Sequence, residues 1–256
     1  MSFKLSSISF ALISSIAAFQ VSYAETYQTK NGDITVDHGN IGSESDLDLI
    51  ALFAKSGYKL EVIDTNINVM AKNNGGKASG NGSQLIVGTE DTSATSITSY
   101  RTTSSNNKSA SVYAEKNGLI KIYGNSISLI STSHKSKPAY GVYAESGKVQ
   151  LGSSNTETIT IENSGNSNSP SDGYESAGIM ASTAGTSVNV TTNTLTINSS
   201  GVGLFVHSNT DEENAPENSA SIQINSNHTT INATDTGIRA FSNGQVTITG
   251  GVKIDA

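Results

Sequence analysis

Beyond the first fifty residues, apolar and polar positions alternate in short runs with a period of two, the mark of strands with one buried face. The runs come in groups that share an opening. Ala51-Leu-Phe-Ala-Lys-Ser-Gly57, Ser111-Val-Tyr-Ala-Glu-Lys-Asn-Gly118 and Gly141-Val-Tyr-Ala-Glu-Ser-Gly147 are followed by Gly178-Ile-Met-Ala-Ser-Thr-Ala-Gly185, Gly203-Leu-Phe-Val-His-Ser-Asn209 and Gly237-Ile-Arg-Ala-Phe-Ser-Asn-Gly244. With the aliphatic after the small opening residue as reference, Val142 follows Val112 by 30 residues, Ile179 follows Val142 by 37, Leu204 follows Ile179 by 25 and Ile238 follows Leu204 by 34. The 60 residues from Leu52 to Val112 leave room for one degenerate unit around Leu85, Val87 and Ile97. Repeats of this length signal a solenoid, and the uneven spacing puts length changes in loops.

The alternation assigns faces. The reference column Leu52, Val112, Val142, Ile179, Leu204, Ile238 and the column two residues on, Ala54, Ala114, Ala144, Ala181, Val206, Ala240, are apolar throughout and point inward. Between them lie Phe53, Tyr113, Tyr143, Met180, Phe205 and Arg239. A buried, unpaired Arg is costly, so this column points outward, and Tyr143→Asp is expected to be tolerated. A second strand follows each Gly turn, with inward pairs Leu60/Val62, Ile120/Ile122, Val149/Leu151, Val188/Val190, Ile222/Ile224 and Val246/Ile248. A third carries Ile67/Val69, Ile127/Leu129, Ile159/Ile161, Leu195/Ile197, Ile231/Ala233 and Val252/Ile254. The expected fold is all-β: a right-handed single-stranded parallel β-helix with three short strands per coil, stacked so that each strand pairs with the coil above and below. A short helix capped by Ser45-Asp-Leu-Asp48 competes with the strand reading of Leu49–Ala54. Loops are expected at Asn73–Ser83, Ser99–Ser109, Ser131–Pro138, Asn163–Ser176 and Asn209–Ser219.

The first residues follow another plan. Lys4, an apolar stretch from Ile8 to Val21 and Ser22-Tyr23-Ala24 form the layout of a secretory signal peptide, expected as a helix over 1–24 and cut between Ala24 and Glu25, with repeats over 25–256. The apolar stretch, broken by Ser9, Ser14, Ser15 and Gln20, is too short for a bilayer span.

Composition narrows the chemistry. The absence of cysteine removes thiolate metal sites and cysteine nucleophiles, and stability falls to packing and hydrogen bonding. Charged residues make up 14% of the chain and the net charge is −7, with no basic stripe, so nucleic acid is not an expected partner.

Signal peptide, Gly-Val-Tyr-Ala repeats, Thr158-Ile-Thr-Ile161 and Thr194-Leu-Thr-Ile197 strands and the lack of cysteine together resemble the passenger regions of type V autotransporters, pertactin-like β-helices. The resemblance runs from Ile34 to Ala256. It implies a bacterial protein at the cell surface, at the outer membrane or secreted, that serves adhesion or display. It further implies a host surface protein or carbohydrate as partner, and a β-barrel translocator in the full-length protein. The chain ends inside a third strand at Val252-Lys-Ile-Asp-Ala256, which suggests a partial product of a longer protein.

Signatures of catalysis are not found. Gly80-Asn-Gly-Ser-Gln84 departs from the protease pattern Gly-Asp-Ser-Gly, Ser45-Asp46-Leu47 departs from the lipase pattern, and no nucleophile elbow occurs. His38, His134, His207 and His228 are scattered, and neither Asp211-Glu212-Glu213 nor Asp46/Asp48 has the ligand spacing of a calcium loop. Asn81, Asn198 and Asn232 open Asn-x-Ser/Thr triplets by chance of composition. No enzymatic activity, cofactor or metal is expected. The candidate binding feature is the outward stripe Phe53, Tyr113, Tyr143, Phe205, either a structural ladder or a sticky face. A secreted β-helix enzyme acting on polysaccharide is the alternative; it would need acids clustered on one outer face, and no acid recurs in one column by this reading.

Overall fold

The computed structural model describes residues 26–42, 50–100, 109–133, 137–165, 175–208 and 219–256. The signal segment with Ala24 and Glu25, the capping candidates Ser45 to Asp48, His134 and the acids Asp211 to Glu213 lie outside the described residues.

Every regular element among the described residues is a strand, and all strands pair in parallel. One sheet has eight strands: Tyr27–Gln28, Ile50–Lys55, Asn74–Ser79, Ser109–Glu115, Ala139–Glu145, Ala177–Ser182, Val202–His207 and Thr236–Phe241. Each of them starts one coil, numbered 1 to 8. The second and third strands of all coils form one larger sheet that bends around the core. In coils 1 to 5 these strands are separate, as in Lys148–Leu151 and Thr158–Ser164. In coils 6 to 8 they merge into Ser187–Ser199, Ser221–Ala233 and Gln245–Asp255. This arrangement is consistent with a parallel β-helix or solenoid.

The repeat columns fall in register as the alternation requires: Val112 pairs with Val142, Val142 with Ile179, Ile179 with Leu204 and Leu204 with Ile238. Their side chains join the inward pairs of the other strands in one apolar core, most of it fully buried. No coil orders itself alone, since a handful of aliphatics at roughly 1.5–3 kcal/mol each does not offset the entropy of fixing its residues.

Three expectations need correction. Asn73–Ser83 is not a loop throughout, because Asn74–Ser79 is the first strand of coil 3, with Gly76 in the Leu52 column and Ala78 in the Ala54 column. Gly76 hid the unit. A Cβ there would lie 2.7 Å from Leu85 Cδ2, so the leucine fills the space that an aliphatic occupies in other coils. In coil 7 the inward pair is Thr229/Ile231 rather than Ile231/Ala233, since Thr229 pairs with Leu195 and Val252. The methyl of a buried threonine substitutes for an aliphatic, as at Thr95 in coil 3. A further coil precedes the repeats: Tyr27 pairs with Leu52, Ile34 with Leu60 and Val36 with Val62.

The small opening residue has a structural cause. A Cβ on Gly75, Gly141, Gly178, Gly203 or Gly237 would lie 2.1 to 2.3 Å from the Cγ2 of Ile97, Ile161, Ile197, Ile231 or Ile254, an inward residue of the same coil's third strand. Two successive residues, such as Gly141 and Val142, therefore face the interior. The strict alternation breaks there, and Tyr140 and Tyr143 emerge on the same outer face. Where the small residue is Ser111 or Ala51, the corresponding third-strand position holds Leu129 or Val69 instead of isoleucine.

Candidate functional site

The outer face of the first sheet carries the predicted stripe, and the structure corrects its exposure. Tyr143 is fully buried, and Tyr113 and Phe205 nearly so, in a second apolar cluster with Ala110, Tyr140, Ala177, Met180 and Val202. Only Phe53 of the four is half-buried. The column points away from the inner core, as the alternation implies, but it builds a second core instead of a solvated face. Tyr143 stacks on Tyr113 with ring centroids 4.9 Å apart and planes 9° from parallel, and on Tyr140 at 4.9 Å and 23°. Arg239 stays on this face by pairing with Glu175 and with Asp235 at 2.7 Å.

At the coil 3 end the column becomes ionic. Lys77 stands between Phe53 and Tyr113, its Nζ 5.6 Å and 4.7 Å from their ring centroids, and it pairs with Glu115 Oε1 at 3.0 Å. Ser79 Oγ donates to the same carboxylate at 2.8 Å, and Tyr113 Oη donates to Glu145 Oε2 at 2.6 Å. Glu115 and Glu145 are direct register partners, so an acid does recur in one column of successive coils, contrary to the sequence reading. Burial pushes the Glu115 carboxyl up, yet the hydrogen bonds from Ser79, Tyr113 and Lys77 and the charge of Lys77 outweigh it and hold the group below the usual glutamate value. Burial, and then the hydrogen bonds and negative charges of Glu145 and Glu115, push the Tyr113 phenol far above its ordinary value and keep it a donor. All partners of this network are paired within it, which gives it the character of an ion-pair brace.

A second surface lies on the outer side of the third strands. Two ladders run from coil to coil. Asn227 Nδ2 donates to Asn193 Oδ1 at 2.8 Å and Asn193 Nδ2 to Glu157 Oε2 at 3.1 Å. Five residues further along each strand, Asn232 Nδ2 donates to Asn198 Oδ1 at 2.8 Å and Asn198 Nδ2 to Glu162 Oε1 at 3.3 Å. The second ladder walls an open groove of about 690 Å³. The sequence reading missed it, because it took Asn163–Ser176 as loop and read Asn198 and Asn232 only for their triplets. The period-two polar positions flanking Ile161, Ile197 and Ile231 carried the signal.

Among the described residues no three His, Asp or Glu side chains come together as a metal site. His38 contacts Tyr27 Oη at 3.1 Å, and His207 lies edge-on to Phe241 with centroids 6.3 Å apart. Asp37 Oδ1 lies 3.7 Å from His38 Nδ1, so His38 stands between a carboxylate and a phenol on the exposed surface of coil 1. No family model matches the chain, and no curated protein or solved structure matches it either.

Proposed function

We propose that the chain is the passenger region of a type V autotransporter, exported through its first 24 residues and presented at a bacterial surface for adhesion or display. In this reading the coils wind right-handed, as about 98% of parallel strand-crossover-strand connections do. A β-barrel translocator belongs to the full-length protein, and the chain itself performs no catalysis.

The observation that carries the proposal is the contrast between a constant core and variable connections. Third strands pass to the next coil through only two residues at 72–73, 200–201 and 234–235, but through much longer segments at 101–108 and 165–176. The connection at 208–220, between a first and a second strand, is long as well. A constant core joined by connections of variable length suits recognition more than turnover, which needs converging groups.

Protease shaving and antibody labelling of intact cells expressing the full-length gene test this. Surface-accessible protein starting at Glu25 is the expected result; cytoplasmic protein with Met1 to Ala24 still attached overturns it.

A second reading, a β-helix enzyme acting on polysaccharide, gains from the Glu115 and Glu145 pair beside Lys77. It expects release of oligosaccharide from a polysaccharide substrate that Glu145→Gln abolishes.

A further inference from the structure

We infer that the groove beside the Glu162, Asn198 and Asn232 ladder binds an extended, uncharged glycan lying along the stack. The groove crosses five coils, and its wall is periodic: Ile130, Glu162, Asn198, Asn232 and Asp255 are register partners in turn. Successive coils lie ~4.8 Å apart, comparable with one pyranose of an extended β-linked chain, so successive sugars meet Glu162, Asn198, Asn232 and Asp255 in turn.

Those groups are amides, hydroxyls and two carboxylates. Each ladder amide commits one N–H to its neighbour and keeps a second for a ligand, while Glu162 terminates the ladder as a charged acceptor and fixes the direction of the amides. Asn163 sits on the inward face of its strand, with Ile159 and Ile161. It is 5% exposed and lines the groove, and its Nδ2 donates to Ala139 O at 3.2 Å. Its Oδ1 is buried without any hydrogen-bond partner. The side chain closes the corner toward the first strand of its own coil, beneath the outer wall that the ladder builds.

The same lining selects against other ligands. Among the described residues that line it there is no Lys, Arg or His, so a polyanion finds no countercharge there. An extended peptide has no free strand edge to pair with in coils 5 to 7, because their third strands bond to coils on both sides, and Ile130 is the single large apolar side chain on offer.

The glycan site deepens the adhesion reading and rests on it for its biological setting, but the two fail separately: cell-surface labelling reports on export, and oligosaccharide titration reports on the groove. Saturation-transfer NMR on the full chain with cellohexaose, chitohexaose and an oligogalacturonate is the measurement. Binding of at least one neutral hexamer and not of the polyanion is expected. Asn198→Ala should weaken it roughly tenfold, as for the loss of one or two hydrogen bonds. Ser164→Trp, at an exposed lining residue outside the ladder, should abolish binding with the melting temperature unchanged, which guards against reading misfolding as loss of a site. Failure of both neutral probes, preference for the polyanion, displacement by an extended peptide, or binding that survives Ser164→Trp would each overturn the assignment.

Discussion

Single positions carry more than their type suggests. Tyr143 reads as a surface aromatic in the sequence, yet two stacked rings and full burial surround it. Tyr143→Asp should therefore cost about 3 kcal/mol or more, measured by urea denaturation, because it places a carboxylate in an apolar cluster and removes both stacking partners. Gly141 behaves in the opposite sense: adding one carbon is the damage. Gly141→Ala should destabilise by about 1–3 kcal/mol, and adding Ile161→Leu, which removes the clashing Cγ2, should restore part of it, since the second clash, with the Gly178 carbonyl at 2.7 Å, remains. Glu115 gives a pH signature. Its folded carboxyl is held below the unfolded value of ~4.3, so its contribution is complete above that value and is lost as pH falls through the lower folded one. Glu115→Gln should flatten the fall in stability between about pH 4.3 and the acid limit, read as urea midpoints across that range.

Strands show why some of the fold is legible and some is not. Period-two columns place Leu52, Val112 and Val142 inward because a dry core tolerates only apolar side chains, and this much survives as pattern. Coil 3 escapes the pattern because Gly76 leaves its volume to Leu85, a neighbour that no local window sees. Burial of the outer column is equally hidden, because alternation tells which side a residue takes but not whether that side is covered. The groove is hidden for a third reason: its asparagines matter through register between coils about 35 residues apart, as Asn198 and Asn232 are, rather than through any motif. Thr229 tests the corrected register of its strand. Its Oγ1 is buried without a hydrogen-bond partner, so Thr229→Val should raise stability by about 1 kcal/mol, whereas a strand shifted by two residues would put Thr229 outside the inward pair and leave the substitution neutral.

At the scale of the molecule, stability belongs to interfaces between coils. Each coil contacts only its neighbours in a stack of this kind, so damage should spread along the axis and fade with distance. Val142→Asp in coil 5 should abolish amide-exchange protection at Val112 and Ile179, its register partners, before it affects Leu60 in coil 2. Uniform loss throughout would mean a single cooperative unit. The same independence lets segments between coils change length without disturbing the core, which is the property the adhesive reading depends on.

The parallel ladders also set the mechanical behaviour of the chain. The hydrogen bonds that join coils point along the stack, so tension applied to the two ends peels coils off in turn instead of shearing a sheet all at once. Each rupture frees the residues between equivalent positions, 24 from Leu52 to Gly76 and 37 from Val142 to Ile179. At ~3.4 Å per extended residue that is roughly 80 to 130 Å of new contour per event. An adhesive filament built this way would lengthen in small steps under flow and re-form as the load drops, acting as a shock absorber between a cell and whatever it holds.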